Sequence, residues 1–246
     1  MNERQKLLLQ VIIEEYIRNA EPVSSKYLND EYDFGLSTAT IRAEMCALED
    51  EGFLAQLHTS GGRVPTDKAY RYYVDTLEVG NIQLSERYKN KIHEAIDGAN
   101  GDPRELNRIM AHVLSQLTGS VVITNIIGSS EYSKSGLASL FGLPEFQEAQ
   151  RMVRLASFFD EFEEMVDRMH KFMLSERARH EAIIRVMIGY EHPFKGVNDD
   201  TIIQSEYTLP QKQIGSVTII GPTRMDYERN LSLLRYTIDE MNKRFN

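Results

Sequence analysis

"TSGGRVPTDKAYRYYVD", from Thr59 to Asp75, decides how the N-terminal part of the chain folds. Gly61 and Gly62 make a tight turn, with Arg63 and Pro65 just beyond it. Upstream, "FLAQL" (Phe53–Leu57) has strand character, and "RVP" (Arg63–Pro65) supplies a second strand, so the glycines join a β-hairpin. Thr66 then caps a helix running through Tyr70, Val74 and Leu77. Tyr70 and Tyr73 share a helical face with Leu77, which favours packing in a core over stacking on a ligand.

Toward the N terminus, Leu8, Val11, Ile12, Glu15 and Tyr16 fall at helical spacing, and Leu7 with Ile17 widens the stripe. This first helix is expected to end near Asn19, because Pro22 disfavours the helical conformation at Glu21. "VSSKYLND" reads as a short second helix capped by Ser24. "LSTATIRAEMCALEDEG" reads as a third, capped by Ser37, stopped at Gly52 and buried along Ile41, Met45 and Leu48. Three helices, a strand, a glycine turn and a strand give the order of a winged helix-turn-helix. The third helix would lie in the major groove with its first turn toward base edges. Its outward positions include Thr38, Ala39, Arg42 and Ala43. Arginine suits a guanine edge or a phosphate equally well, or an exposed ion pair worth about 0–1 kcal/mol. A narrow glycine wing lets backbone approach a phosphate, and Arg63 at its base adds charge. The candidate DNA contacts are therefore Ser37, Thr38, Thr40, Arg42 and Ala43 on the third helix, with His58, Ser60, Gly61, Gly62 and Arg63 on the hairpin.

The charge balance argues the other way. The formal net charge is −9, and an acidic chain gives nucleic-acid binding no general support. Met1–Asp75 alone sets eight Lys and Arg against thirteen acids. Locally the sign reverses: Gln56–Tyr73 holds Arg63, Lys68 and Arg71 against Asp67, with His58 besides, while acids gather at Glu14, Glu15 and Glu49–Glu51. A solvated basic hairpin is the plain alternative.

A length of 246 residues fits one large domain or two modest ones, and 41% hydrophobic with 26% charged residues is ordinary for a globular protein. The single cysteine, Cys46, excludes an internal disulfide and makes no zinc site by itself; it reads as a small packing residue or an inert surface thiol. The N-terminal apolar run is broken by Gln10 and followed by Glu14 and Glu15, unlike a signal peptide, and no later run spans a bilayer. A cytoplasmic protein with no membrane association is expected. "HEAII" from His180 has Ile184 where a zinc helix needs its second histidine, and neither a phosphate-cradling glycine loop nor a serine elbow occurs. No catalytic residue, cofactor or metal is expected, and the chain reads as a non-enzyme.

From Gly80 to Gly101 the sequence is polar, with "EVGNIQLSE" and "DGANGDP" as linker punctuation. Beyond it come a helix ("PRELNRIMAHVLSQLTG"), a buried strand ("SVVITNIIG") and one or two amphipathic helices within "LPEFQEAQRMVRLASFFDEFEEMVDRMHKFML". Three strands ("EAIIRVMIGYE", "DTIIQSEYTL", "QIGSVTIIGP") and a closing helix follow. Helices with strands ending in an antiparallel run indicate an α+β domain. The expected organisation is a winged helix-turn-helix domain over 1–79, a linker over 80–101 and a regulatory or dimerisation domain over 102–246.

"STATIRAEMCALEDEGFL", "HTSGGRVPTDKAYRYYVD" and "IGSVTIIGPTRMDYERNLSLL" together resemble the bacterial heat-inducible transcription repressor family HrcA, with the three motifs in the family's order. The resemblance implies a winged helix joined to a GAF-like α+β domain. It also implies repression of chaperone genes at an inverted-repeat operator in double-stranded DNA, with the GroEL chaperonin keeping the repressor active. Family members are usually longer, the excess being largely a dimerising segment; here "SVVITNIIGSSEYSKSGLASLFGLPEFQEAQ" passes straight from the first strand to the "LPEF" motif. A homodimer is still expected, because an inverted repeat is read by two heads related by a two-fold axis, and "FFDEFEEMVDRMHKFML" offers Phe and Met for a contact. Ala43 stands where the family commonly carries asparagine, an adenine reader, and Ala69 replaces a frequent glycine. Two other readings stay open: a ligand-sensing winged-helix regulator, since GAF-like folds often hold ligands, and a protein-interaction adaptor, which the acidic head motivates.

Overall fold

The computed structural model describes residues 1–57, 61–78, 84–160, 184–194 and 196–245. The chain divides into two compact units, Met1–Leu77 with Thr223–Asp226, and Glu78–Pro222 with Tyr227–Asn246.

The first unit, called the head below, contains α1 (Glu3–Asn19), α2 (Ser25–Glu31), α3 (Thr38–Asp50), β1 (Leu54–Gln56), β2 (Arg63–Pro65) and α4 (Asp67–Thr76). Each helix start has a local cause. Asn2 and Gln5 form a reciprocal capping box on α1, and the side chains of Ser24, Ser37 and Thr66 accept from the third residue beyond each of them. α1 stops at Ala20, which turns left-handed at φ 57°, two residues before Pro22. β1 and β2 pair antiparallel with Gln56 opposite Arg63. Val23 joins as a third rung, its N–H donating to the Arg63 carbonyl at 2.9 Å and its carbonyl accepting from Arg63 N–H at 2.8 Å. The core gathers Leu8, Ile12, Leu28, Ile41, Leu48 and Tyr70, all essentially sealed from solvent. The tyrosines that follow the hairpin are thus core residues, with Tyr70 and Tyr73 buried.

The second unit is built on a five-stranded, wholly antiparallel sheet in the order β4-β3-β7-β6-β5: β3 (Val121–Ile126), β4 (Tyr132–Ser135), β5 (Ile184–Ile188), β6 (Asp200–Thr208) and β7 (Ile214–Pro222). One face meets α6 (Pro103–Thr118) and α9 (Tyr227–Phe245), with α5 (Glu86–Gly98) packed on both helices. On the other face, Val121, Ile220, Ile202 and Met187 lie side by side in register. They form a core with Leu140 of α7 (Leu137–Phe141), Phe146, and Leu155 and Phe158 of α8 (Ala149–Asp160). The result is a mixed helix-and-sheet architecture of the α+β kind.

Two expectations change. The polar stretch read as a linker from Gly80 to Gly101 contains α5, whose Ile92, Ala95 and Ile96 are buried. Its charges lie on the outer faces, so composition alone hides an amphipathic helix. The hairpin partner β4 and the short α7 also went unread, because "YSKS" alternates exposed and half-buried positions at a sheet edge and carries little apolar signal. His180 and nearly all of "FFDEFEEMVDRMHKFML" lie outside the described residues.

Candidate nucleic-acid interface

α3 presents Thr38, Ala39, Arg42, Ala43 and Cys46 along its outer side, while Ile41, Met45 and Leu48 are buried behind them. Ser37 is committed to the cap: its Oγ accepts from the Thr40 N–H at 3.2 Å and lies 3.0 Å from Thr40 Oγ1. Thr40 thereby loses much of its freedom to read a base, and Thr38, Arg42 and Ala43 remain the outward groups. His58 and Ser60 lie outside the described residues. Gly61 is exposed, and its carbonyl accepts from Gln56 Nε2 at 3.4 Å.

Gly62 and Arg63 serve the hairpin in ways the sequence conceals. A Cβ on Gly62 would fall 2.5 Å from the Val23 carbonyl oxygen, so the glycine is required by the close pass of Pro22–Val23 beneath the wing. Arg63 does not stand free for a phosphate. Its Nε donates to Glu49 Oε2 at 2.7 Å, its Nη2 lies 3.9 Å from Cys46 Sγ, and its side chain is only 14% exposed. Arg63 therefore fastens the wing to the C-terminal half of α3. No sequence spacing announces this contact, which closes a gap of fourteen residues.

Most basic side chains of the acidic head are already partnered. Arg4 reaches Glu44 at 3.4 Å, Lys6 pairs with Glu3 at 2.7 Å, and Arg71 pairs with Asp75 at 3.3 Å. Arg18 pairs with Glu15. Lys68 donates to the Glu51 carbonyl at 2.6 Å while its Nζ sits 4.3 Å above the Phe53 ring. Of the basic residues in Met1–Asp75, only Lys26 on α2 and Arg42 on α3 lack a hydrogen-bond or ion-pair partner among the described residues, and both are exposed. Two carboxylates of α3, Glu44 and Glu49, are each met by an arginine from another element. Met1–Asp75 is negative in sum, yet the two cations without a partner among the described residues stand on its second and third helices.

A buried carboxylate fixes these helices. Glu15 on α1 is 1% exposed and accepts from Tyr27 Oη, from Tyr32 Oη at 2.6 Å and from Asn19 Nδ2 at 3.0 Å, beside Arg18. Burial pushes the Glu15 carboxyl up, but the Tyr27 and Tyr32 hydrogen bonds, with Arg18 and Asn19, outweigh it and hold the group below its ordinary value. The same contact, with burial, pushes the Tyr27 hydroxyl up to about 12. In the sequence Glu15 stands in the helical stripe and among the N-terminal acids, and neither place announces its role, which depends on Tyr27 of α2 and Tyr32 at its end.

Among the described residues no helix is long and apolar enough to cross a membrane, and no group of His, Cys, Asp and Glu side chains is placed to hold a metal ion.

The class these features define is an acidic four-helix head with a β-hairpin and free cations on its second and third helices, carried in one chain with an antiparallel α+β sheet unit. The family model described as "HrcA protein C terminal domain" matches residues 38–231, from the first turn of α3 into α9. The chain belongs to the HrcA family. It is 28% identical over 338 aligned positions to the heat-inducible transcription repressor HrcA of Natranaerobius thermophilus, covering 98% of this chain and 96% of that one. To its Bifidobacterium longum counterpart it is 32% identical over 257 positions, covering 97% and 68%. An alignment of 338 positions cannot be filled by 246 residues, so the first relative carries segments absent here. A crystal structure titled as a hypothetical protein at 2.2 Å resolution shares the fold, with a TM-score of 0.79 at 20% identity over 100% of this chain and 98% of the other.

Proposed function

We propose that this chain is a DNA-binding transcriptional repressor of heat-shock chaperone genes, acting as a homodimer at an inverted-repeat operator and modulated by the GroEL chaperonin. In this reading residues 1–79 are a winged helix-turn-helix with α3 in the major groove, and the second unit, α5 included, is a GAF-like domain. The observation that carries it is the placement of the unpartnered cations: of the basic side chains in Met1–Asp75, Lys26 on α2 and Arg42 on α3 alone have no hydrogen-bond or ion-pair partner among the described residues. The relatives' printed name, heat-inducible transcription repressor, supports the same reading. A selection from random duplexes followed by titration at several salt concentrations tests it. Binding should favour an inverted repeat and weaken steeply with salt, as contacts to phosphates release counterions. A flat salt response, or equal affinity for scrambled duplex, would leave a protein-interaction adaptor as the better account.

A further inference from the structure

We propose that Lys26 is a phosphate anchor, a positioning contact that α2 makes with the DNA backbone while α3 addresses the bases; this rests on the DNA-binding reading above. Three observations converge on it. Lys26 is exposed and has no hydrogen-bond or ion-pair partner among the described residues. Asp30 stands four residues on along α2, at the spacing where helical ion pairs form, yet the ammonium is not paired with it. The helix that carries Lys26 is held against rotation: Ser25 and Leu28 are buried on its inner side, and the hydroxyls of Tyr27 and Tyr32 both donate to Glu15. A cation presented from a fixed helix loses less freedom on binding than one on a loose loop.

The chemistry separates Lys26 from Arg42. Lysine is a compact point charge on a flexible stem and suits a phosphate oxygen, whereas the planar guanidinium can also bracket the acceptor pair of a guanine. In helix-turn-helix docking the helix preceding the recognition helix crosses the backbone, which is the place of α2. The phosphate contact that the sequence assigned to Arg63 thus passes to Lys26, because Glu49 already occupies the Arg63 guanidinium.

The test compares wild type, Lys26→Ala, Lys26→Arg and Lys6→Ala on an inverted-repeat duplex recovered by selection and on a scrambled duplex, from roughly 50 to 200 mM salt. Lys6→Ala removes the same unit of charge from α1, where Lys6 is paired with Glu3. Lys26→Ala should weaken both duplexes several-fold by a common factor, and its plot of log affinity against log salt should be shallower by about one for each head bound. Lys26→Arg and Lys6→Ala should keep the wild-type slope, and all four proteins should melt alike. A wild-type slope in Lys26→Ala, a loss confined to the inverted repeat, or an equal loss in Lys6→Ala overturns the anchor while leaving the repressor reading intact. Wild-type protein that binds neither duplex overturns the repressor reading itself.

Discussion

Gly62 has no room for a side chain, since an added Cβ would press on the carbonyl oxygen and carbon of Val23 and on Pro22. Those are backbone atoms, so relief requires the hairpin to move away from α1–α2. Gly62→Ala should destabilise the head by about 1–3 kcal/mol, the usual range for overpacking, seen as a lower denaturation midpoint. Arg42 and Arg63 divide by environment. Arg42→Ala should cost about 1–3 kcal/mol of operator affinity with little change in stability, and unchanged affinity would remove α3 from the groove. Arg63→Ala leaves Glu49 without its partner, so its first effect should be on folding. A double-mutant cycle with Glu49→Ala should return a coupling of about 0.5–1 kcal/mol, because the pair is partly screened. The caps Ser24, Ser37 and Thr66 were legible in the sequence because a cap is a local event within four residues. The tasks of Gly62 and Arg63 were not, since Val23 and Glu49 reach them only through the tertiary fold.

At the scale of elements, the head depends on the junction between α1 and α2, where one carboxylate serves two tyrosines. Glu15 is held below its ordinary value when folded, so as pH falls the unfolded chain binds this proton first. Its contribution to stability is therefore complete above the ordinary glutamate value of about 4.3 and is lost as pH drops through the folded value. Denaturant unfolding should show the head weakening below about pH 4.5, and Glu15→Gln should flatten that acid slope while lowering stability at neutral pH. A slope of wild-type steepness in Glu15→Gln would place the acid sensitivity elsewhere. The long, strongly periodic elements were readable: α1, α3, α6 and α9 and the apolar strands β3, β6 and β7 fall where spacing puts them. α5 and β4 escaped because short or polar segments gain order from what they pack on: α5 from α6 and α9, β4 from β3 and α6.

Across the whole molecule, the question is how such a chain would report heat under the proposed function. Folding stability is a small difference between large terms, so a loss of 1–2 kcal/mol measurably lowers the active fraction. A chain of 246 residues divided into two compact units, with a net charge of −9, has modest cores and internal repulsion to offset. Segments that the Natranaerobius relative carries are missing here, and with them any surface they would bury. On the proposed function, a repressor of this build would need no bound ligand to sense temperature, because its own folded fraction would be the signal. The proposed chaperonin dependence would close the loop: GroEL would return unfolded repressor to the active pool, and would lose that capacity when heat fills it with other clients. Purified protein should therefore lose operator binding on mild heating, in step with its loss of secondary structure. Recovery after cooling should be faster and more complete with chaperonin and ATP than with buffer alone. Operator binding that persists well beyond growth temperature, or that returns equally without chaperonin, would move the sensing step to a ligand held by the sheet domain.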